Sequence, residues 1–315
     1  MVRLEKIYLE IGNICNLSCP FCLVPRRPPQ TMAKDQILQI LPQIQKIASS
    51  VCLHVLGEPL FHPEFDTICD LFTTWDIPVQ ITTNGTLLHQ KQTKLLEQNS
   101  IQQINISAHA LDSLPFSLGC QEILTQIRDF CNQAHIARPD LYINLRFWNY
   151  HDLGKSRAFQ FFKSLFHFDD SKIDIRWKKS FLLQDRAYLN FDSQFQWPCP
   201  AHPVRSEKGY CYGLSSHCGI LANGDVAPCC LDGNGEIVLG NCLITPLEDI
   251  LSSPRAQNMV AHFNKGELIE PLCRRCDFIS RFDKKAHRLA GQHKPALWPD
   301  HKEYMSRGVG RFLLI

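Results

Sequence analysis

Residues 15–22 read CNLSCPFC, which places cysteines at positions 15, 19 and 22 in a C-x3-C-x2-C arrangement. Three thiolates this close together can hold three corners of a cubic iron–sulfur cluster and leave the fourth iron without a protein ligand. An iron with an open position can bind a substrate or cofactor, whereas a cluster with four protein ligands mainly transfers electrons. Half of a zinc site, or three buried small apolar side chains, are the alternatives.

The residues around this motif favour a strand followed by a metal-binding loop. The preceding run KIYLEI, residues 6–11, alternates like a strand and is ended by Gly12 and Asn13. Further along, short β-rich runs alternate with helical patterns. The predicted strands are Ile7–Ile11, Val51–Leu56, Val79–Thr83, Gln103–Ser107, Tyr142–Phe147 and Lys172–Trp177. The predicted helices are Lys34–Ala48, Pro63–Trp75, His89–Gln98, Gln121–Ala137 and Lys155–Phe166. This order predicts an α/β fold with a parallel sheet, whose ligands bind at the carboxyl ends of the strands.

Composition narrows the class of protein. The chain has 315 residues and a formal net charge of +2, so global charge gives no argument for nucleic acid. It contains fifteen cysteines, yet its N-terminus, MVRLEKIYLE, has no apolar signal region, and no apolar run of about 18 residues predicts a membrane span. We therefore expect a cytoplasmic protein that uses thiols for metal or redox chemistry and does not bind a membrane.

The cysteine motif, together with the aromatic Phe21 before Cys22, resembles the signature of the radical SAM superfamily. The resemblance implies a partial (β/α)6 TIM-like barrel and a 4Fe–4S cluster held by Cys15, Cys19 and Cys22. It also implies that S-adenosylmethionine (SAM) binds the open iron and that a donor such as flavodoxin or ferredoxin supplies one electron. SAM is then cleaved to a 5′-deoxyadenosyl radical, which abstracts hydrogen from a substrate C–H bond.

The resemblance also suggests where SAM would be contacted. LGEPLFHP, residues 56–63, is similar to the family's GGEP motif and offers Gly57, Glu58 and Pro59, although Leu56 replaces the first glycine. TTNGTLL follows the third strand and offers Asn84, for which an ordinary Asn–Gly turn is the alternative. Ser107, at the end of the fourth strand, stands where relatives often bind the methionine carboxylate or the ribose.

The fifth predicted strand and two histidines add weaker candidates. Arg146 is a candidate SAM-binding residue that could face inward and clamp a carboxylate, or it could be a surface arginine; Asn144, a second candidate for SAM, has the same strand parity. His109 follows a strand end and is the one candidate catalytic residue. His54 lies in a similar position. A lone histidine in such a place is more often packed or hydrogen-bonded than catalytic.

The second half of the chain carries another set of cysteines. Cys211, Gly224 and Cys229 are spaced C-x12-G-x4-C, and Cys273 and Cys276 form a distant C-x2-C. This pattern resembles the C-terminal modules of radical SAM enzymes called SPASM and, in shortened form, twitch. Because no cysteine follows Cys276, the resemblance implies one auxiliary 4Fe–4S cluster held by Cys211, Cys229, Cys273 and Cys276.

Several alternatives within this module stay open. Four cysteines in two pairs also describe a zinc ribbon. Cys230 could replace Cys229, since adjacent strand residues face opposite ways. Cys218 and Cys242 fit either extra ligands or buried apolar positions. ILANGDVAPCC, residues 220–230, predicts a β-hairpin that turns at Asn223–Gly224.

We divide the chain into a barrel over residues 1–178, an irregular bridge over 179–210, a small hairpin-and-helix iron–sulfur module over 211–280 and a basic tail over 281–315. The stretch 274–311 has ten Arg or Lys residues against four acids, which is compatible with a solvated tail or with RNA. The expected function is oxidation or cross-linking of a peptide or small molecule. RNA modification is the alternative, and a non-enzymatic electron carrier is a third interpretation.

Overall fold

A ten-stranded sheet flanked by seven α-helices forms the fold in this computed structural model, which describes residues 3–115, 117–173 and 179–282. The strands are β1 (Lys6–Leu9), β2 (Val51–Leu53), β3 (Val79–Thr83), β4 (Ile101–Ile106), β5 (Tyr142–Phe147), β6 (Ser180–Gln184), β7 (Ala187–Phe191), β8 (His217–Ile220), β9 (Asp225–Ala227) and β10 (Gly240–Asn241). The helices are α1 (Lys34–Ile47), α2 (Phe65–Thr74), α3 (Leu88–Glu97), α4 (Leu118–Ala137), α5 (Arg157–Phe166), α6 (Leu247–Leu251) and α7 (Pro254–Lys265). None of the helices in this part of the chain is both long and apolar enough to span a bilayer.

Six neighbouring strands are parallel and make up the barrel wall. The order across the whole sheet is β10-β9-β8-β1-β2-β3-β4-β5-β7-β6, and β1, β2, β3, β4, β5 and β7 run in one direction. The sheet does not close on itself, because β10 and β6 lie at opposite edges. The predicted partial barrel is therefore confirmed, with helices α1 to α5 following the strands in sequence.

The C-terminal module extends this sheet and is not a separate layer. Strand β8 pairs in parallel with β1, and β9 pairs in antiparallel fashion with β8 on one side and with β10 on the other. The predicted hairpin turn at Asn223–Gly224 lies between β8 and β9, and Gly224 has a φ of +87°. A side chain at Gly224 would also approach Leu243 to 2.7 Å, so glycine is favoured there for two reasons.

Five of the six predicted strands and all five predicted helices are present to within a few residues. The sixth strand prediction is wrong at its start, because Asp170–Lys172 forms a turn of 3₁₀-helix, and residues 174–178 lie outside the described residues. The sixth parallel strand is β7, which pairs with β5 and forms a hairpin with β6. The stretch predicted to be an irregular bridge therefore completes the barrel wall.

The two faces of the sheet are chemically different. One face packs under the helices and carries fully buried apolar side chains such as Ile7, Leu9, Ile81 and Leu145. The opposite face, which the alternating residues present to the barrel interior, is largely polar. There Gln103 donates to Asn105 at 2.7 Å and Asn144 donates to Asn105 at 2.9 Å.

A buried carboxylate fastens the barrel to the module. Glu10 follows β1 and accepts two short contacts from Nη2 of Arg27, at 2.6 and 2.7 Å. Its oxygens also accept the backbone N–H groups of Leu56 and Ala222. Burial raises the pKa of Glu10, and the Arg27 guanidinium opposes that rise. The Nε of Arg27 in turn donates to the carbonyl of Gly233 at 2.9 Å.

We predict that Glu10→Ala lowers the free energy of unfolding by about 3–5 kcal/mol, because it leaves the mostly buried Arg27 cation and two N–H groups without their acceptor. The matched control is Glu248→Ala, which removes an exposed ion pair to Lys46 and should leave stability close to that of wild type. Anaerobic denaturant titration of the iron-loaded protein measures both. Equal stability of the two variants would contradict the assignment of Glu10 as the junction.

Candidate active site and iron–sulfur centres

The three N-terminal cysteines lie on the loop between β1 and α1. Cys15 and Cys22 are exposed and Cys19 is partly exposed, and none of the fifteen cysteines of the chain forms a disulfide. A turn brings two of the three together, since the N–H of Cys22 donates to the carbonyl of Cys19 at 3.0 Å. Three accessible, unpaired thiols on one short loop fit a cluster that takes three protein ligands.

The Gly57–Glu58–Pro59 turn packs directly against the backbone of this loop. Gly57 has a φ of +77°, and a Cβ at this position would lie 2.3 Å from the carbonyl oxygen of Gly12. The N–H of Glu58 donates to the carbonyl of Ile14 at 3.0 Å. The end of β2 and the cysteine loop therefore touch backbone to backbone, which only glycine permits.

The Glu58 side chain connects two strand ends. It is 3% exposed, and its two oxygens accept the N–H of Leu60 at 3.1 Å and the N–H of Asn84 at 2.7 Å. Burial raises its pKa to about 7. The predicted contact of this carboxylate with SAM stays a prediction, and in the structure its oxygens hold the ends of β2 and β3 in place.

Asn84 ties the third strand to the cysteine loop. Its Nδ2 donates to Oδ1 of Asn16 at 2.8 Å and lies 3.7 Å from the sulfur of Cys15. Thr86 closes the group, because its hydroxyl donates to Oδ1 of Asn84 at 2.6 Å. Ser107 lies at the end of the next strand, where its N–H donates to the carbonyl of Thr83 at 2.8 Å. Both candidates therefore lie at the strand ends that surround the three cysteines.

An aromatic layer crosses the same end of the barrel. The Phe21 ring lies 4.7 Å from the ring of His109, which stacks at 6.2 Å on Trp148. Trp148 contacts Phe195, and Phe195 contacts Trp197. The indole N–H of Trp197 then donates to the carbonyl of Phe21 at 3.0 Å. We call these five residues the aromatic layer: Phe21, His109, Trp148, Phe195 and Trp197. Only the first two were candidates from the sequence.

His109 is positioned as a packed residue. Its Nδ1 donates to the carbonyl of Arg146 at 3.0 Å, which leaves Nε2 without a proton when the ring is neutral. Burial lowers the pKa of His109 to about 4. A neutral ring held in this way can accept a proton or a hydrogen bond at Nε2, and its catalytic role stays a prediction.

The candidates on β5 lie deeper in the barrel. Asn144 is 2% exposed, and its side-chain N–H₂ donates to Asn105. Arg146 is partly exposed, and its guanidinium carbon lies 5.7 Å from the centre of the Trp148 ring. Burial lowers the pKa of Arg146, and the carboxylate of Asp192 is among the groups that oppose this effect.

Four C-terminal cysteines line one cavity. They are Cys211, Cys229, Cys273 and Cys276. Burial raises the pKa of the Cys229 thiol, and negative charge on Cys230, Cys211, Cys276 or Cys273 would raise it further. Over the described ranges no three His, Cys, Asp or Glu side chains are close enough to share a single metal ion.

The structure separates Cys229 from Cys230. Cys230 also touches this cavity, but it is fully buried in the cluster that contains Tyr8 and Cys52 inside the barrel, whereas Cys229 is only partly buried. Cys218 and Cys242 are fully buried in the core beside each other. The grouping therefore favours Cys229 as the ligand and buried apolar roles for Cys218 and Cys242.

Comparison with known proteins agrees with both centres. The Radical SAM superfamily model matches residues 9–137, and the SPASM iron–sulfur cluster-binding domain model matches residues 211–277. Among curated relatives, 7-carboxy-7-deazaguanine synthase of Aquifex aeolicus (strain VF5) is 28% identical over 97 residues, which is 31% of this chain and 44% of the relative. The tungsten-containing aldehyde ferredoxin oxidoreductase cofactor-modifying protein of Pyrococcus furiosus is 29% identical over 116 residues, 36% of this chain and 32% of the relative. The matched part thus spans less than half of each relative.

Two solved structures share the fold over most of their length. BtrN in complex with AdoMet and 2-DOIA has a TM-score of 0.57 at 16% identity, covering 88% of this chain and 94% of BtrN. AnSMEcpe with bound AdoMet has a TM-score of 0.57 at 11% identity, covering 91% of this chain and 93% of that protein.

We predict that Gly57→Ala slows 5′-deoxyadenosine formation from SAM by about a hundredfold, because displacement of the cysteine loop by a fraction of an ångström misplaces the reacting groups. The control is Gly266→Ala, whose φ of +75° gives similar strain but whose added Cβ meets nothing within 4 Å. Chromatographic assay of 5′-deoxyadenosine, with dithionite as reductant, measures both. Equal rates for the two variants would show that close packing at Gly57 is unimportant.

We predict that Cys229→Ala lowers the iron content from about eight to about four per chain, since one of two four-iron clusters loses a ligand. Cys230→Ala is the neighbouring control and should keep about eight irons. Anaerobic reconstitution followed by iron and sulfide analysis distinguishes the variants. Loss of iron from Cys230→Ala alone would reverse the assignment.

The motif at Cys15, Cys19 and Cys22 lies in a radical SAM domain, which implies SAM and a 4Fe–4S cluster as cofactors, and the four C-terminal cysteines lie in a SPASM iron–sulfur cluster-binding domain; the chain combines these two domains.

Proposed function

We propose that this enzyme oxidises or cross-links a peptide or small molecule and uses one auxiliary 4Fe–4S cluster in doing so. The main observation in support is that the N-terminal and C-terminal cysteines lie around the same part of the barrel interior. Leu23, next to Cys22, packs against the same buried cluster as Cys229 and Cys276. That cluster includes Tyr8 and Cys52 on the inward side of β1 and β2. A substrate in the barrel would therefore lie between the proposed ligands of both centres.

The chain's own residues supply position and a dry environment. Glu58 and Asn84 fix the strand ends below the cysteine loop, and the aromatic layer covers the barrel end. The SAM-binding cluster, when present, supplies the electron that cleaves SAM to the 5′-deoxyadenosyl radical. Exclusion of water protects such a radical from side reactions. A second cluster beside the substrate can accept an electron, which makes the net reaction an oxidation.

The proposed class of substrate is based on the molecules that were crystallised with proteins of similar fold. The similar fold BtrN was crystallised with 2-DOIA, and anSMEcpe was crystallised with a Cp18Cys peptide, so this architecture accommodates both kinds of molecule. At such low identity the likeness concerns the fold alone. We therefore keep peptide and small molecule as one proposal and expect a flavodoxin or ferredoxin as the electron donor.

The RNA alternative loses part of its basis. Three of the ten basic residues counted in the tail are described, and all three make bonds within the protein. Arg274 donates to the carbonyl of Leu268, Arg275 donates to the carbonyl of His202, and Arg281 pairs with Asp192. The remaining seven basic residues lie outside the described residues.

We predict that replacing Cys15, Cys19 and Cys22 together by alanine abolishes 5′-deoxyadenosine formation and leaves about four irons per chain in the C-terminal module. Cys199→Ala is the control, because Cys199 is a partly exposed cysteine outside both groups. The measurement is anaerobic incubation with dithionite and SAM, followed by product and iron analysis. Formation of 5′-deoxyadenosine by the triple variant would refute the proposed function.

A further inference from the structure

The cavity that the four C-terminal cysteines line has almost no other polar side chains. Apart from its cysteines, the described residues that line it are apolar with two exceptions, Asp232 and His217. Both oxygens of Asp232 already accept backbone N–H groups, those of Glu236 and Ile237, at 2.8 Å each. Among these lining residues, His217 is therefore the one whose side chain can donate an N–H into the cavity.

His217 lies on the face of β8 that is turned toward the proposed ligands. Gly219, two residues further along the strand, shares this face, and a Cβ there would lie 3.2 Å from the carbonyl oxygen of Cys229. On the other side, Gly213 forms a backbone bridge with His217, and the N–H of Gly213 donates to the sulfur of Cys211 at 3.3 Å. The backbone thus connects His217 to the segments that carry both Cys211 and Cys229.

The orientation of the His217 ring is fixed by two neighbours. The residue is 3% exposed, and its ring meets the ring of Tyr8 at 90° with the centroids 5.5 Å apart. Within the described part of the chain, its one side-chain hydrogen bond joins Nδ1 to the hydroxyl of Ser216 at 2.9 Å. These two contacts leave Nε2 as the ring nitrogen that is free to bind a group in the cavity.

The same contacts assign the proton of the ring. The Ser216 hydroxyl could instead donate to the carbonyl of Tyr212, but that oxygen is 3.4 Å away and already accepts the N–H of Ser216 at 2.9 Å. We therefore assign the hydroxyl as the donor to Nδ1 of His217, which places the proton of a neutral ring on Nε2. Nε2 then carries a buried N–H without an acceptor in the protein, which is costly unless the content of the cavity supplies one.

The sulfur atoms of an iron–sulfur cluster are such acceptors. A hydrogen bond to sulfur stabilises the reduced cluster more than the oxidised one, because the reduced cluster carries one more negative charge. Hydrogen bonds to the sulfurs are accordingly one of the factors that set the reduction potential. The effect is strong where the surroundings are apolar and no other side-chain N–H competes, as in this cavity.

We propose that the Nε2–H group of His217 donates a hydrogen bond to a sulfur of the auxiliary cluster and raises its reduction potential, with Ser216 and Tyr8 holding the ring in place. The inference rests on the proposed function, because it concerns the auxiliary cluster of that proposal. A higher potential makes this cluster a better electron acceptor, which is the role that an oxidation requires of it.

The test is an anaerobic redox titration of the iron-loaded, full-length protein, followed by electron paramagnetic resonance. The signal that changes when SAM is added identifies the N-terminal cluster, and the other signal identifies the auxiliary cluster. His217→Phe keeps a ring against Tyr8 but has no N–H. We expect it to lower the midpoint potential of the auxiliary cluster by about 59 mV, a tenfold change in the equilibrium constant of a one-electron couple. His217→Gln, whose amide can donate, should recover part of this loss.

Two controls limit the effect to the auxiliary cluster. The midpoint potential of the N-terminal cluster should be the same in wild type and in both His217 variants. His135→Phe is the matched control, because His135 is an exposed histidine on α4, and it should leave both potentials unchanged.

Labelling the wild-type protein with ¹⁵N-histidine gives a second readout that needs no variant to fold. A weak ¹⁵N coupling in the pulsed resonance spectrum of the auxiliary cluster is expected for an N–H group that donates to sulfur. A strong coupling would show that Nε2 binds iron directly, and the absence of coupling would show that the ring does not reach the cluster. Either of these two results would overturn the inference.

The titration has equally definite outcomes. An unchanged auxiliary potential in a His217→Phe protein that holds about eight irons would refute this inference alone and leave the proposed function standing. Equal shifts of both clusters would also overturn it, because they would report a general change of the fold. Loss of about four irons from both His217 variants would make His217 a ligand of the cluster or a support of its fold, and not a hydrogen-bond donor. Wild-type protein that holds only about four irons would refute the auxiliary cluster of the proposed function, and this inference with it.

Discussion

The contact between Glu10 and Arg27 holds together parts of the chain that are more than 200 residues apart in sequence. The Glu10 carboxylate accepts hydrogen bonds from three places in the chain. They are Arg27 after the cysteine loop, Leu56 after β2 and Ala222 between β8 and β9. Removing two charges from water is unfavourable, and burial indeed raises the pKa of Glu10 despite the adjacent guanidinium. A buried pair of this kind adds little net stability, but it admits only one arrangement of its neighbours. The relative placement of the two iron–sulfur sites depends on that arrangement.

Local patterns were sufficient for most of the fold. A strand such as β3, in which buried and partly exposed residues alternate, and a helix such as α1, whose buried residues recur every three or four positions, can be recognised one at a time. The sixth strand was misplaced because β7 follows an antiparallel partner, an arrangement that interrupts the regular alternation of strand and helix. Asp185, with its φ of +47°, lies in the two-residue turn between β6 and β7, a hairpin within the stretch that was predicted to be an irregular bridge.

Some residues of the candidate site could be predicted from the sequence, and others could not. Ligands of a cluster must be closely spaced along a loop, so Cys15, Cys19 and Cys22 were recognisable from sequence. The aromatic layer could not be found in this way, because Trp148, Phe195 and Trp197 come from segments that meet only in the folded chain. The choice between Cys229 and Cys230 had the same difficulty. Strand parity says that adjacent residues face apart, and only the position of Cys52 and Tyr8 shows which of the two points into the barrel.

The distribution of apolar surface explains how an interior can be free to bind a substrate. A closed barrel of parallel strands is usually filled by branched apolar side chains that stabilise it from within. Here the apolar side chains lie on the helix-covered face, whereas the inner face presents Gln103, Asn105 and Asn144. Burial on the outer face therefore supplies most of the stability, since the free energy gained scales with the apolar area removed from water. The polar groups on the inner face can therefore be selected for binding without much loss of stability.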